Sequence, residues 1–153
     1  MDWALWFYWI MATTLGWLLG SLFFSGIPVV ASGVAIAALQ WAVLYRRIRK
    51  AWRWPILSGL GWIAGYILVV LLSPATLGLL AGPALGGATG LAQWLILRNE
   101  VDWAGWWIII SPLAWTTGLL LVPGLLSSGA LPGALTGLAL TILFRFSAPR
   151  ARQ

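Results

Sequence analysis

The sequence predicts an all-α integral membrane protein with six transmembrane helices, arranged as three tandem helical hairpins in a pseudo-threefold bundle. Three observations lead there. The 153 residues are 61% hydrophobic and only 8% charged, where a soluble domain carries about 25% charged residues. Six apolar runs each approach the ~20 residues that cross a ~30 Å hydrocarbon core as helix. Two short patterns recur three times each along the chain.

The runs lie near residues 3–24, 27–45, 54–73, 76–97, 103–122 and 129–146. Lipid offers the backbone no hydrogen-bond partner, which leaves helices or a closed barrel. A barrel needs period-two alternation, and none is present. The first run follows Asp2 with no cation before it and exceeds a signal-peptide core, so it is read as a retained helix. SGIP at 25–28 turns the chain into the second run, which stops at the basic cluster RRIRKAWR. The third begins at Trp54, turns at SPATLG (73–78), and returns as the fourth, ending at Arg98. The fifth starts around AGWW (104–107), breaks at PGLLSSGALPG (123–133), and returns as the sixth. Residues 1–147 form one transmembrane domain of hairpins 3–45, 54–97 and 103–146, and 148–153 form a short basic tail.

Charge gives the orientation. Arg46, Arg47, Arg49, Lys50, Arg53, Arg98, Arg145, Arg150 and Arg152 all fall at or after the end of an even-numbered run. By the positive-inside tendency that side is cytoplasmic and holds both termini. The expected location is therefore a bacterial inner (plasma) or thylakoid membrane, crossed several times. The net charge of +6 is then a topology signal and no sign of nucleic acid. The cluster Arg46, Arg47, Arg49, Lys50 and Arg53 is placed to meet anionic lipid headgroups.

The repeat is visible in both halves of each hairpin. TTLGWLLG (13–20), SGLGWIAG (58–65) and SPLAWTTG (111–118) align in the odd runs. GVAIAALQWAVLYRR (33–47), GGATGLAQWLILR (86–98) and GALTGLALTILFR (133–145) align in the even ones. Small residues four apart share one helix face, where backbones can meet. Gly16 with Gly20, Gly61 with Gly65, and Ala114 with Gly118 mark such faces on the odd runs. Gly82, Gly86 and Gly90, Gly129, Gly133 and Gly137, and the shorter Gly33 and Ala37, mark them on the even runs.

Thirteen tryptophans divide by position. Trp3, Trp6, Trp9, Trp52, Trp54, Trp103, Trp106 and Trp107 lie at the charged starts of odd runs, where an interfacial aromatic belt is expected. Trp17, Trp62 and Trp115 lie about 12 Å deeper, eight residues on at ~1.5 Å each, and each indole N–H there needs an acceptor. Gln40 and Gln93, each followed by tryptophan (Trp41, Trp94), sit just inside the charged edge, where an amide must be paired. Two uses are open: interhelical hydrogen bonding, or contact with a pigment or lipid, including ligation of a chlorophyll-type magnesium. In the third copy Leu140 and Thr141 stand in their place.

Chemistry is bounded by what the chain lacks. It has no cysteine and no histidine, and Asp2, Glu100 and Asp102 are its only acids, all outside the apolar runs. No catalytic constellation and no metal ligand set can be assembled from these, so no enzyme is expected.

GLAQWLILR (90–98), AGWW (104–107) and TTLGW (13–17) resemble a group of small tryptophan- and glycine-rich repeat membrane proteins common in cyanobacteria and other phototrophic bacteria. The resemblance runs from about Trp9 to Arg145 and implies the same topology and a phototrophic setting. Size and tryptophan content are also similar to the tryptophan-rich sensory proteins, whose proline-tryptophan motifs and five-span topology this chain does not share.

The expected function is a non-catalytic accessory or structural subunit of a larger bacterial membrane complex, a photosynthetic one being the first candidate. It would pack against other membrane-protein subunits, lipids, or a chlorophyll-type pigment or carotenoid. The alternative is a passive small-solute channel or facilitator lined by Thr13, Thr14, Ser58, Ser111, Thr116 and Thr117.

Overall fold

The structure, a computed structural model, describes residues 2–24, 27–72, 77–122 and 124–147. Among these the regular elements are all helical: α1 (Trp3–Phe23), α2 (Pro28–Leu44), α3 (Arg53–Leu72), α4 (Leu77–Leu97), α5 (Trp106–Thr116), continued by a π-helical turn (Thr117–Leu121), and α6 (Ser127–Phe146). The turn residues 25–26, 73–76 and 123, and the basic tail 148–153 with Arg150 and Arg152, lie outside the described residues.

Local chemistry explains the helix ends. Asp2 caps α1, its carboxylate accepting the Leu5 N–H at 2.9 Å. The same carboxylate receives Arg47 at 2.7 Å. The Leu5 N–H first, and then Arg47, hold the Asp2 carboxyl below its usual range against the opposing effect of burial. Pro28 occupies the first turn of α2, where its missing N–H costs nothing. The fifth run begins later than its expected start at 103. Residues 102–105 turn, with Trp103 in the left-handed region at φ 61°.

Four helices are long and apolar enough to cross a membrane: Trp3–Phe23, Arg53–Leu72, Leu79–Leu97 and Ser127–Phe146. The other two are shorter. α2 has 17 residues, about 25 Å at ~1.5 Å per residue, and the apolar stretch Trp106–Leu121 is similar.

Each helix packs against its neighbours in sequence, and α6 also packs against α1, so the bundle closes into a ring. Size and polarity decide which side of each helix faces inward. On α3, Ser58, Gly61, Trp62 and Gly65 are buried while Leu60, Ile67 and Leu71 are exposed. A chain that buries serine and exposes leucine is matched to an apolar solvent, in which small and polar residues hold helices together.

The small-residue faces lie where the helices touch. A Cβ at Gly16 or Gly20 would meet Ile36 or Ser32 of α2, and one at Gly61 or Gly65 would meet the α4 backbone around Thr89 and Leu85. Gly82, Gly86 and Gly90 face Thr116, Pro112 and Ser111 along α5. Gly129, Gly133 and Gly137 face Thr14, Thr13 and Trp9 on α1, and Gly33 faces Trp62 on α3. Odd helices thus open their glycines toward the following even helix, and even helices toward the next odd one, with α6 reaching round to α1. Ala114 is fully buried, and Gly118 meets Pro132 of α6.

Gly86 and Gly87 provide an internal test. A Cβ at Gly86 would lie 2.7 Å from Pro112 Cα, whereas one at Gly87 meets nothing within 4 Å. Gly86→Ala is expected to lower stability by about 1–3 kcal/mol through overpacking. Gly87→Ala should be neutral or stabilising by up to about 1 kcal/mol. Thermal unfolding of both variants in detergent checks the contrast, and equal effects would refute it.

Candidate functional site

The residues that begin each odd helix form the first layer of the interior. Trp9, Trp54 and Trp107 occupy matching positions, each four residues before Thr13, Ser58 or Ser111, and are 0%, 0% and 1% exposed. Trp9 lies edge-on to both others, at 5.6 Å from Trp54 and 6.3 Å from Trp107. This corrects the belt assignment of these three. An indole facing the ring interior is packed by the other helices and never reaches the interface. Trp3, Trp52, Trp103 and Trp106 are exposed, as a belt requires, and Trp6 is half-buried with its N–H on the Ala134 carbonyl at 3.0 Å.

Two turns deeper, Trp17, Trp62 and Trp115 form a second layer. Ring centroids are 4.6 Å apart for Trp62–Trp115 and 6.1 Å for Trp17–Trp115. Trp62 donates to the Val29 carbonyl, whereas the Trp17 N–H is buried with no partner among the described residues.

Between the layers lies a neutral polar network. Gln40 donates to Thr13 Oγ1 at 3.1 Å and accepts the Trp54 N–H at 3.2 Å. Gln93 donates to Ser58 Oγ at 3.1 Å and accepts the Trp107 N–H at 2.9 Å. A longer contact of 3.5 Å runs from Gln93 Nε2 to Gln40 Oε1. Both glutamines are thus interhelical, but they serve the first tryptophan layer and not Trp17, Trp62 or Trp115. The Thr13 hydroxyl donates to the Trp9 carbonyl at 2.9 Å, and Ser111 donates to the Gly86 carbonyl at 2.7 Å.

The third copy solves the same problem differently. Leu140, in the glutamine position, is fully buried. Thr136, one turn earlier, accepts the Trp9 N–H at 2.9 Å and donates to the Pro132 carbonyl. The matching position holds Thr89 in the second copy and Ile36 in the first. Thr89 Oγ1 is buried and unpartnered among the described residues, and it lines the enclosed cavity at the centre of this layer. That cavity measures about 10 Å³, close to the room one water requires.

This geometry bears on the two uses open to the glutamines. Their carbonyl oxygens are occupied by indole N–H groups, and a cavity of about 10 Å³ admits no macrocycle. Trp41 and Trp94 do not join the network. Trp41 is exposed beside Tyr45, and Trp94 is half-buried with the Arg98 guanidinium 5.2 Å from its ring centroid. Thr116 and Thr117 donate to carbonyls of their own helix. Among the described residues no group of three His, Cys, Asp or Glu could hold a metal.

The charged end carries short-range pairings. Arg49 reaches Glu100 at 3.9 Å, and Arg46, Arg53 and Arg145 lie over the rings of Tyr45, Trp52 and Phe146. Sequence reasoning missed Trp9, Trp54, Trp107, Thr89 and Thr136 as interior residues. Extending the aligned repeats by four residues toward each helix start would have found the tryptophans. No known protein family, curated protein or solved structure matches the chain.

Gln40 and Gln93 look equivalent, yet their replacement should differ. Gln40→Leu strands the Trp54 N–H, with Ile36 and no hydroxyl at the repeat position of Thr136, and is expected to cost about 1–3 kcal/mol, the penalty of an unpaired buried donor. Gln93→Leu leaves Thr89 in the position from which Thr136 serves Trp9, so its cost should be clearly smaller. Adding Ile36→Thr to Gln40→Leu should recover part of the loss. Unfolding midpoints of the three variants test this, and equal losses with no rescue would refute it.

Proposed function

We propose that the chain is a non-catalytic accessory subunit of a larger bacterial membrane complex, with a photosynthetic assembly as the first to examine. The observation that carries this reading is the division of labour between inside and outside. The interior is occupied by six tryptophans and a hydrogen-bonded set of neutral groups, and among the described residues it presents no ionisable side chain. The outer surface is broad, aliphatic and aromatic: Leu71, Phe23, Leu121 and Phe146 are among many large side chains turned outward. Such a body suits packing against partner helices and lipids.

The accompanying topology is six spans in three tandem hairpins around a pseudo-threefold axis. The matched pairs Gln40–Trp54 and Gln93–Trp107, both 14 residues apart, support it. The charged end is cytoplasmic in this reading, in an inner or thylakoid membrane. The resemblance to membrane proteins of phototrophs supports the setting. The passive-facilitator reading draws less support, because indoles fill the axis and the central cavity is about 10 Å³.

Purification of the native protein in mild detergent, with its apparent mass and its absorption through the visible and near infrared, tests the role. Migration with a large complex is expected, and a lone particle of the chain's own size would overturn it. The chain contains no cysteine, so single cysteines test the topology cleanly. Lys50→Cys should react with an impermeant maleimide only after the cytoplasmic side is opened, and Leu125→Cys should react in intact cells.

A further inference from the structure

The outer face of the third hairpin carries a groove that the reading above does not use. It lies between α5 and α6 at the charged end, has a volume of about 570 Å³, and is walled by Trp103, Trp106, Ile110, Ile142 and Phe146. It continues along the same helix pair into a second apolar depression of about 310 Å³ that shares Ile110 and Ile142 and reaches Leu135. From Leu135 to Phe146 is about 16 Å of helix at ~1.5 Å per residue, the depth of one leaflet of a ~30 Å core.

A cation and an acid both stand near the charged end of the groove: Arg145 over the ring of Phe146, and Asp102, whose backbone N–H donates to Ser147 Oγ at 2.8 Å, next to Trp103. Arg145 is exposed, its guanidinium 5.9 Å from the Phe146 ring centroid, and it forms no ion pair among the described residues. Trp103, on the groove wall, is 73% exposed, on a backbone at φ 61° that a non-glycine residue adopts only under strain. Strain of this kind is usually tied to a binding surface. The first hairpin supplies a comparison. Its groove, about 420 Å³, is walled by Tyr8, Leu39 and Val43, but the arginine at its mouth, Arg47, is bonded to Asp2 at 2.7 Å. Arg53 also forms no ion pair among the described residues, but the groove of about 350 Å³ that it lines with Trp52, Ile56 and Leu57 spans little more than one helical turn, whereas the α5/α6 groove runs the depth of a leaflet from the ring beneath Arg145.

We propose that the α5/α6 groove is a binding site for one anionic glycerophospholipid of the leaflet at the charged end. An acyl chain lies along Ile110, Ile142 and Leu135, the phosphate meets the Arg145 guanidinium, and the indoles of Trp103 and Trp106 sit at the level of the glycerol esters, where amphipathic rings favour the interface. The inference rests on the membrane placement but not on the accessory role. A lone particle on purification would defeat that role and leave this site intact.

The test uses the full chain in nanodiscs of mixed phosphatidylglycerol and phosphatidylcholine, with native mass spectrometry counting the lipid retained. The wild type is expected to hold one phosphatidylglycerol in preference to phosphatidylcholine. Arg145→Gln should lower that preference about fivefold, the ratio matching ~1 kcal/mol for one arginine at an anionic surface. Ile142→Trp, at an exposed position that leaves the core untouched, should abolish retention by filling the groove. Arg47→Gln should change neither. Retention unchanged in both groove variants, retention without headgroup preference, or a co-purified protein covering this face in place of lipid would each overturn the proposal.

Discussion

Close approach of helix backbones is the constraint on which the rest of this protein depends. In lipid an apolar side chain gains little by moving from solvent to protein, so helices associate through dispersion contacts and polar bonds, both short-ranged. Glycines at four-residue spacing supply the approach. A Cβ on Gly20 would sit 2.0 Å from the Ser32 nitrogen, so no larger residue fits without displacing α2. Because α6 presents Gly129, Gly133 and Gly137 to α1 as α4 presents Gly82, Gly86 and Gly90 to α5, one contact geometry both extends the chain of helices and closes it.

Closure at that distance creates a second problem, whose solution is the polar layer. Three odd helices converging on one axis bring Trp9, Trp54 and Trp107 into contact, and each indole N–H must find an acceptor where water is scarce. A glutamine on the preceding even helix answers twice. Thr136 answers the third time, with Leu140 filling the volume that an amide would occupy. The repeat therefore preserves the requirement for an acceptor while varying the residue that meets it. Thr89 has the hydroxyl of the third solution and the neighbouring Gln93 of the second, and with the glutamine in use its oxygen is left over.

The helical architecture was legible because span length and turn residues act locally. Pro28 and the cation cluster at 46–53 bound their helices much as the sequence implies. The interhelical use of Gln40 and Gln93 was legible too, since an amide near the apolar core has few other options. The partners were not. Helices that are apolar all round carry no stripe to show which face is inward, so Trp9 inside and Trp3 outside look alike in sequence although six residues separate them. The turn at 102–105 was also hidden, because the left-handed backbone at Trp103 breaks the usual preference for glycine there.

These features favour the proposal that the outside of the ring is the functional surface. A core in which indoles fill the axis and nearly every donor is matched has little room to bind, conduct or react. Two departures from strict repetition lie in the third hairpin: a π-helical turn at Thr117–Leu121, which packs on Pro132 of α6 through Gly118, and a strained tryptophan at the periphery. π-Turns and strained residues persist where something beyond packing selects them. Arg47 pairs with Asp2 and Arg49 reaches Glu100, both from the segment after the first hairpin, whereas Arg145 has no carboxylate partner among the described residues. The groove of the third hairpin brings together the Phe146 ring beneath this arginine and the strained Trp103.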